Sequence, residues 1–136
     1  AYDVFPVHCL EKDIGMRYVT LEELLEQADI ISVHAPGIDG LPIIRRETIE
    51  KMKDHVIIIN TSRGSNVDEQ ALLDGLNAGK VWAAGLDVYT QEPTPNHDLY
   101  SHPRVSCTPH IGAQTDEAQQ KVGAEVAQLI CDFFQK

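Results

Sequence analysis

The 136-residue sequence predicts an α/β fold built on a parallel sheet. Three observations lead there. Val56-Ile57-Ile58-Ile59 is an unbroken β-branched run with no polar face, the pattern of a strand covered by helices on both sides. Short apolar runs alternate with amphipathic segments along the whole chain, as in a sheet with helical crossovers. Residues able to do chemistry follow directly after the apolar runs, and a parallel sheet binds ligands at those C-terminal strand ends.

The elements follow in order. Ala1-Tyr2-Asp3-Val4 reads as the end of a strand entering a loop. Thr20-Leu21-Glu22-Glu23 has the spacing of a capping box and opens a helix to Gln27, with Leu21, Leu24, Leu25 and Ala28 as its apolar stripe. Asp29 to His34 is a strand, and Pro36, Gly37 and Gly40 mark a loop. Arg45 to Met52 reads as a helix with Ile49 and Met52 inward. After the strand Val56 to Thr61, Asn66 or Asp68 caps a helix carrying Ala71, Leu72, Leu73 and Leu76, and Gly79 takes the left-handed position at its end. Ala83 to Val88 is a strand, and Arg104 to Thr108 is another, stopped by Pro109. Thr115 to Phe134 is a long helix. Ala118, Val122, Val126, Leu129, Ile130 and Phe133 recur along it at helical spacing, and Asp116 and Glu117 lie in its positive first turn.

Composition narrows the function. Hydrophobic residues at 43% and charged residues at 24% describe a globular chain, not a disordered one. A net charge of −10 repels phosphate backbones and anionic lipid, so no nucleic-acid and no membrane partner is expected. No apolar run approaches the roughly 20 residues of a membrane span, and the N-terminus shows no basic leader. Three cysteines without a C-x-x-C pair suit a reducing, cytoplasmic setting and give no zinc site. His8, His55, His97 and His102 sit in polar or turn-rich stretches without ligand spacing, so no metal is expected.

The chemistry lies at five places: Asp3, His34 to Gly37, Thr61 to Gly64, Asp87 to Glu92 and His110 to Gly112. An acid at a strand tip, such as Asp3, can accept both hydroxyls of an adenosine ribose and repel a 2′-phosphate; read alone, it serves equally as a turn residue. Arg63 offers a two-pronged donor for a carboxylate, although a surface arginine has the same local sequence. Gly64 allows close backbone approach. His110, between Pro109 and Gly112 at a strand end, can move a proton near neutral pH, and Glu92 can fix its tautomer. Taken singly, His110 also reads as a loop histidine.

Together the motifs say more. Ile59-Asn60-Thr61-Ser62-Arg63-Gly64, Val67-Asp68-Glu69, Ala84-Gly85-Leu86-Asp87-Val88, Gln91-Glu92-Pro93 and Thr108-Pro109-His110-Ile111-Gly112 occur in that order over nearly the whole chain. This ordered set resembles the D-isomer-specific 2-hydroxyacid dehydrogenase family. Glu92-Pro93-Thr94-Pro95 with Pro109-His110-Ile111-Gly112-Ala113 is most similar to its branch acting on D-3-phosphoglycerate. In the formate dehydrogenase branch the position of Glu92 is usually Gln.

The resemblance implies a Rossmann-like doubly wound parallel sheet and an NAD cofactor. It implies a small anionic 2-hydroxy or 2-oxo acid as substrate and a homodimer in the full-length protein. Arg63 would hold the substrate carboxylate, His110 would exchange the proton at its C2 oxygen, and Glu92 would orient His110. Asp87 would meet the nicotinamide carboxamide, and Arg63, His110 and Gly112 would also contact the cofactor. Thr61 and Ser62 would line the nicotinamide side, His34, Ala35 and Pro36 the adenosine side, and Asp3 the adenosine ribose. A non-catalytic NAD-binding regulator of corepressor type shares these residues and stands as the alternative.

The sequence departs from the family in one respect. No G-x-G-x-x-G loop occurs in residues 1–136. The chain is therefore expected to be a partial NAD-binding domain over 1–136, with its first strand–helix unit and the substrate domain absent. The family's first strand is expected between the strand ending at Asp3 and that ending at Thr61. On that expectation the isolated chain is an inactive fragment that binds NAD weakly and exposes the edge of Val56 to Asn60 to self-association.

Overall fold

A computed structural model describes residues 1–37 and 40–135. Strands β1 (Ile30–Val33), β2 (Val56–Asn60), β3 (Val81–Leu86) and β4 (Val105–Cys107) form one parallel sheet in the order β1-β2-β3-β4. The helices are α1 (Cys9–Asp13), α2 (Leu21–Gln27), α3 (Arg46–Lys51), α4 (Glu69–Ala78), α5 (His97–Tyr100) and α6 (Asp116–Phe134). This is the predicted α/β Rossmann-like class, a parallel sheet flanked by helices.

Local chemistry sets the boundaries. Asp68 Oδ1 accepts the Ala71 N–H at 3.0 Å and starts α4; Gly79, at φ 79°, ends it. Asn66 is fully buried and plays no part in that cap. Thr20 Oγ1 accepts the Glu23 N–H at 3.1 Å and starts α2. The reciprocal half of that capping box does not form, because the Glu23 carboxylate is taken by Arg17 at 2.9 Å. Thr115 caps α6 through the Ala118 N–H at 3.1 Å.

Strand register decides which side chains enter the core. Ile31, Ile58 and Ala84 lie abreast, as do Val33, Asn60 and Leu86, and all six are buried. Ile49 of α3 and Ala71, Leu72, Leu73 and Leu76 of α4 join them in the hydrophobic core. Removing this much apolar surface from water supplies the main stabilisation, about 25 cal/mol per Å².

Three expectations need correction. Helices do not cover both faces of β2: Ile57 and Ile59, on the face away from the core, are only half-buried among the described residues. The edge left open is not Val56 to Asn60, because β1 and β3 pair with β2 on its two sides, Ile30↔Ile57 and Ile57↔Ala83. No strand fits beside β2; the edge open on that side of the sheet is β1, where Ile30 is 59% exposed. Ala1 to Val4 is not a strand. It is irregular chain tied to its neighbour by the Ala1 ammonium on Arg17 O at 2.6 Å and the Val19 N–H on Ala1 O at 2.8 Å.

Helix α6 forms over the expected span, but none of its residues is buried. Its stripe stays open, with Val122 56% and Phe133 73% exposed. No helix among the described residues is long and apolar enough to cross a membrane. They hold no cluster of three or more metal-ligating side chains.

Leu76, fully buried between α4 and the sheet, tests this core. Leu76→Ala is expected to destabilise the chain by about 2–5 kcal/mol, read as a lower denaturant midpoint at unchanged slope.

Candidate active site

The C-terminal ends of β2, β3 and β4 carry the turns that hold Thr61 to Gly64, Asp87 to Glu92 and His110 to Gly112. Asp87 stands at the tip of β3, where its N–H donates to Asn60 O of β2 at 3.0 Å. Its carboxylate is buried, with 5% exposure. Oδ1 accepts the Thr108 hydroxyl at 2.5 Å and the Ile111 N–H at 2.9 Å; Oδ2 accepts the Gly112 N–H at 2.9 Å. Burial pushes the Asp87 pKa up, but these three hydrogen bonds and the nearby His110 outweigh it and hold the pKa below the ordinary carboxylate value.

The bonds close a turn over 108–112 in which His110 takes φ 55°. Few residues with a Cβ occupy that left-handed region, and the strain costs about 1–3 kcal/mol. The Asp87 carboxylate braces that turn from Thr108, Ile111 and Gly112, and the Gln114 side chain donates to His110 O at 3.0 Å. A Cβ on Gly112 would lie 3.0 Å from Asp87 Oδ2, so glycine admits the carboxylate there.

His110 Nδ1 lies 2.7 Å from Glu92 Oε2, although the two are 18 residues apart. The Nδ1–H donates to the carboxylate, which leaves Nε2 as the second ring nitrogen to exchange a proton. The side chains are 47% and 38% exposed. The second Glu92 oxygen, Oε1, accepts the Tyr89 N–H at 3.1 Å. The hydrogen bond from His110 and that from the Tyr89 amide lower the Glu92 pKa below its ordinary value.

The Arg63 turn abuts the Glu92 loop. A Cβ on Gly64 would lie 2.0 Å from the carbonyl carbon and oxygen of Tyr89, so only glycine permits the approach. Behind Arg63 runs a buried polar network. Asn60 Nδ2 donates to Arg63 O at 2.8 Å, and Asn60 Oδ1 accepts the Ser62 N–H and hydroxyl at 3.2 and 2.9 Å. Asn66 Nδ2 donates to Ser62 Oγ at 3.1 Å and to Ala35 O at 2.9 Å, tying the loop after β1 to the loop after β2. Thr61 is exposed and Ser62 half-buried on this edge.

The structure thus joins Arg63's turn, Asp87, Glu92, His110 and Gly112, and links Ala35 to Ser62. It does not bond Asp3 or His34 to that group. Asp3 Oδ1 accepts the Phe5 N–H at 2.8 Å, the turn geometry that its sequence also allowed. His34 Nε2 lies 2.8 Å from Ser32 Oγ, and Pro36 is exposed next to Ala35. Sequence reading passed over Tyr89 and the Glu69 side chain. Glu69 accepts the Thr90 N–H at 2.8 Å and the Asn96 amide at 3.2 Å, bracing the Glu92 loop against α4. Its place in the Val67-Asp68-Glu69 motif was the available signal.

The NAD binding domain of the D-isomer specific 2-hydroxyacid dehydrogenases matches residues 1–112. Hydroxypyruvate reductase of Thermotoga maritima is 48% identical over 124 residues, which cover 88% of this chain and 40% of that protein. D-3-phosphoglycerate dehydrogenase of Bacillus subtilis is 44% identical over 133 residues, covering 97% of this chain and 25% of that one. The crystal structure of D-lactate dehydrogenase from Aquifex aeolicus, complexed with NAD and lactic acid, superposes with a TM-score of 0.83 at 32% identity over 98% of this chain and 45% of that one. The chain belongs to the D-isomer-specific 2-hydroxyacid dehydrogenase family. Its matched region is the family's NAD-binding domain, and NAD is the cofactor of that domain. The chain spans less than half the length of each of these three relatives.

Two predictions follow from the site. The native Glu92 pKa lies below its ordinary value of 4.5, so the Glu92–His110 contribution to stability is complete above the ordinary carboxylate range. It is lost as pH falls through the lowered native value. In a carboxyl-carbon NMR titration, His110→Ala should move the Glu92 midpoint up toward 4.5. Gly64→Ala should cost about 1–3 kcal/mol by forcing the Arg63 turn off Tyr89. Gly85→Ala, whose Cβ would meet only Ile59 side-chain atoms at 3.9 and 4.0 Å, is the control with little effect in the same denaturation experiment.

Proposed function

We propose that this chain is the part of an NAD-dependent oxidoreductase that carries its acid–base pair and substrate arginine. The reaction is hydride exchange between NAD and a small D-2-hydroxy acid. The observation that carries this reading is the 2.7 Å contact between His110 Nδ1 and Glu92 Oε2 on the sheet's ligand-binding edge, next to the Arg63 turn. NAD, when bound, supplies the hydride acceptor or, once reduced, the donor.

The chain's own residues do the rest. Arg63 pairs with the substrate carboxylate and holds the C2 oxygen toward His110. His110 Nε2 takes the C2 hydroxyl proton in oxidation and returns it to the carbonyl oxygen in reduction. Glu92 keeps the proton on Nδ1 and balances the imidazolium. Asp87 holds the His110 turn and has a lone pair left on Oδ2 for the nicotinamide carboxamide, beside Gly112. Thr61 and Ser62 flank the nicotinamide, and His34, Ala35 and Pro36 flank the adenosine. Asp3 keeps Oδ2 for the ribose hydroxyls. The residues fit the cofactor: Asn66 joins Ala35 on the adenosine side to Ser62 on the nicotinamide side, making one continuous floor.

Residues 1–136 are, in this reading, part of the NAD-binding domain, and the substrate domain is supplied by other sequence. The protein is cytoplasmic and homodimeric. D-3-phosphoglycerate is the substrate that the Glu92-to-Pro95 motif and the Bacillus subtilis relative favour. Hydroxypyruvate is the second reading, because the 48% identical Thermotoga maritima relative is a hydroxypyruvate reductase.

The test is NADH oxidation by the protein carrying this chain, with hydroxypyruvate phosphate, hydroxypyruvate and glyoxylate as competing substrates. His110→Ala should lower kcat on the order of a hundredfold to ten-thousandfold. Arg63→Ala should act mainly on KM, by about tenfold to a hundredfold. Turnover that survives His110→Ala sinks the acid–base assignment; binding of NAD without turnover of any 2-oxo acid favours a regulator. Asp3→Ala should narrow the preference for NAD over NADP, and a wild type that prefers NADP overturns the role of Asp3.

A further inference from the structure

Tyr89 meets all three turns that carry Arg63, Glu92 and His110, and it does so through three different groups. Its carbonyl is the surface on which Gly64 rests, so the Arg63 turn is seated on the Tyr89 backbone. Its N–H donates to Glu92 Oε1 at 3.1 Å. Its phenol oxygen lies 3.0 Å from Thr108 O and 3.2 Å from Leu86 O. Leu86 O also accepts the Thr108 N–H at 2.9 Å, so the ring's hydroxyl closes the junction at which β4 gives way to the His110 turn. We propose that Tyr89 is a positioning residue for the acid–base pair, its hydroxyl fixing the start of the His110 turn to the same residue whose amide fixes Glu92.

The inference rests on the acid–base reading of His110 and Glu92. Neither partner is held by burial, and their attraction is screened by water. Their separation must then be set by what holds each of them, and Tyr89 holds both: its N–H bonds the Glu92 carboxylate, and its hydroxyl bonds the backbone at Thr108, where the His110 turn starts. Asp87 fixes the far side of the turn at Ile111 and Gly112, but the near side, at Thr108, is held by the Tyr89 hydroxyl as well as by the Thr108 side chain. The hydroxyl is a dependable donor. Burial first, then the Cys107 thiol and the charges of Asp87 and Glu69, raise its pKa and keep it protonated. A phenylalanine would keep the ring, the amide and the carbonyl, and would lose only the hydroxyl's contacts with Thr108 O and Leu86 O.

The experiment compares wild type, Tyr89→Phe and His110→Ala in the protein carrying this chain, with a third variant, Tyr89→4-aminophenylalanine, that restores an N–H donor. Steady-state kinetics are read with NADH and hydroxypyruvate phosphate, or with whichever 2-oxo acid the wild type reduces. Amide hydrogen exchange is read at Ile111 and Gly112. Tyr89→Phe is expected to lower kcat about tenfold, the rate equivalent of one net hydrogen bond, with KM changed by less than about twofold. Exchange at Ile111 and Gly112 should quicken about tenfold, and the amino variant should recover most of both losses. A Tyr89→Phe protein with wild-type kcat overturns the proposal, whether or not its melting temperature falls. An amino variant as slow as Tyr89→Phe overturns the donor role. Full activity in His110→Ala instead overturns the acid–base reading beneath it. Loss in His110→Ala with none in Tyr89→Phe removes the positioning role alone.

Discussion

His110 sits at φ 55°, in a turn braced by the Asp87 carboxylate. The cost of the strained backbone and the cost of burying a charge are met by the same three hydrogen bonds, from Thr108, Ile111 and Gly112. Either cost alone would be hard to sustain. A buried carboxylate without donors would take up a proton, and a turn without the carboxylate would relax toward negative φ. Each stabilises the other, so the imidazole leaves the end of β4 in one direction only.

That arrangement depends in turn on the sheet. Asn60 ends β2, and its carbonyl accepts the Asp87 N–H, so the carboxylate inherits its place from the β2–β3 register. The Asn60 side chain works on the other turn, donating to Arg63 O while its oxygen accepts from Ser62. One buried asparagine therefore places the arginine turn through its side chain and the base of the histidine turn through its backbone carbonyl. Helix α4 adds a second route. Asp68 fixes where it starts, and Glu69, one residue on, reaches Thr90 and Asn96 around the Glu92 loop. The core that holds α4 against β3 thus reaches the site through a single side chain.

Much of this was legible in the sequence wherever the signal is local. Asp68 and Gly79 bound α4 because a cap and a left-handed stop act within one turn of chain. Val56 to Asn60 announced itself by β-branching, and the candidate residues Arg63, Asp87 and His110 lie past the strand ends, where open parallel sheets bind ligands. What depends on the identity of a distant partner was not legible. The run of isoleucines says that β2 is interior to a sheet; it does not say that Ile30 to Val33 takes the side assigned to another strand, or that Ile57 and Ile59 face a thinner cover. Glu23 stands at capping-box spacing, but Arg17 competes for it across a loop. The apolar stripe of α6 is plain at helical spacing, and its packing is not, because periodicity names a face without naming what covers it. Tyr89 escaped for the same reason: an aromatic after a strand reads as packing until Thr108 is placed opposite its hydroxyl.

Two carboxylates in this site have lowered pKa values, and the causes separate their work. Asp87 is buried and spends both oxygens on a hydroxyl and two backbone amides, so its charge is committed to geometry. Glu92 is exposed and is lowered chiefly by the imidazole it touches, with one amide holding its other oxygen. A group buried among fixed dipoles responds little to events outside the protein. A group whose pKa is set by a neighbouring titratable ring responds whenever that ring gains or loses a proton. Depth in the fold therefore ties Asp87 to the shape of the turn and Glu92 to the protonation of the imidazole, although both are acids a few residues apart on the same strand-end loop. Exchanging those depths would leave the same residues in the sequence and remove the reason for either role.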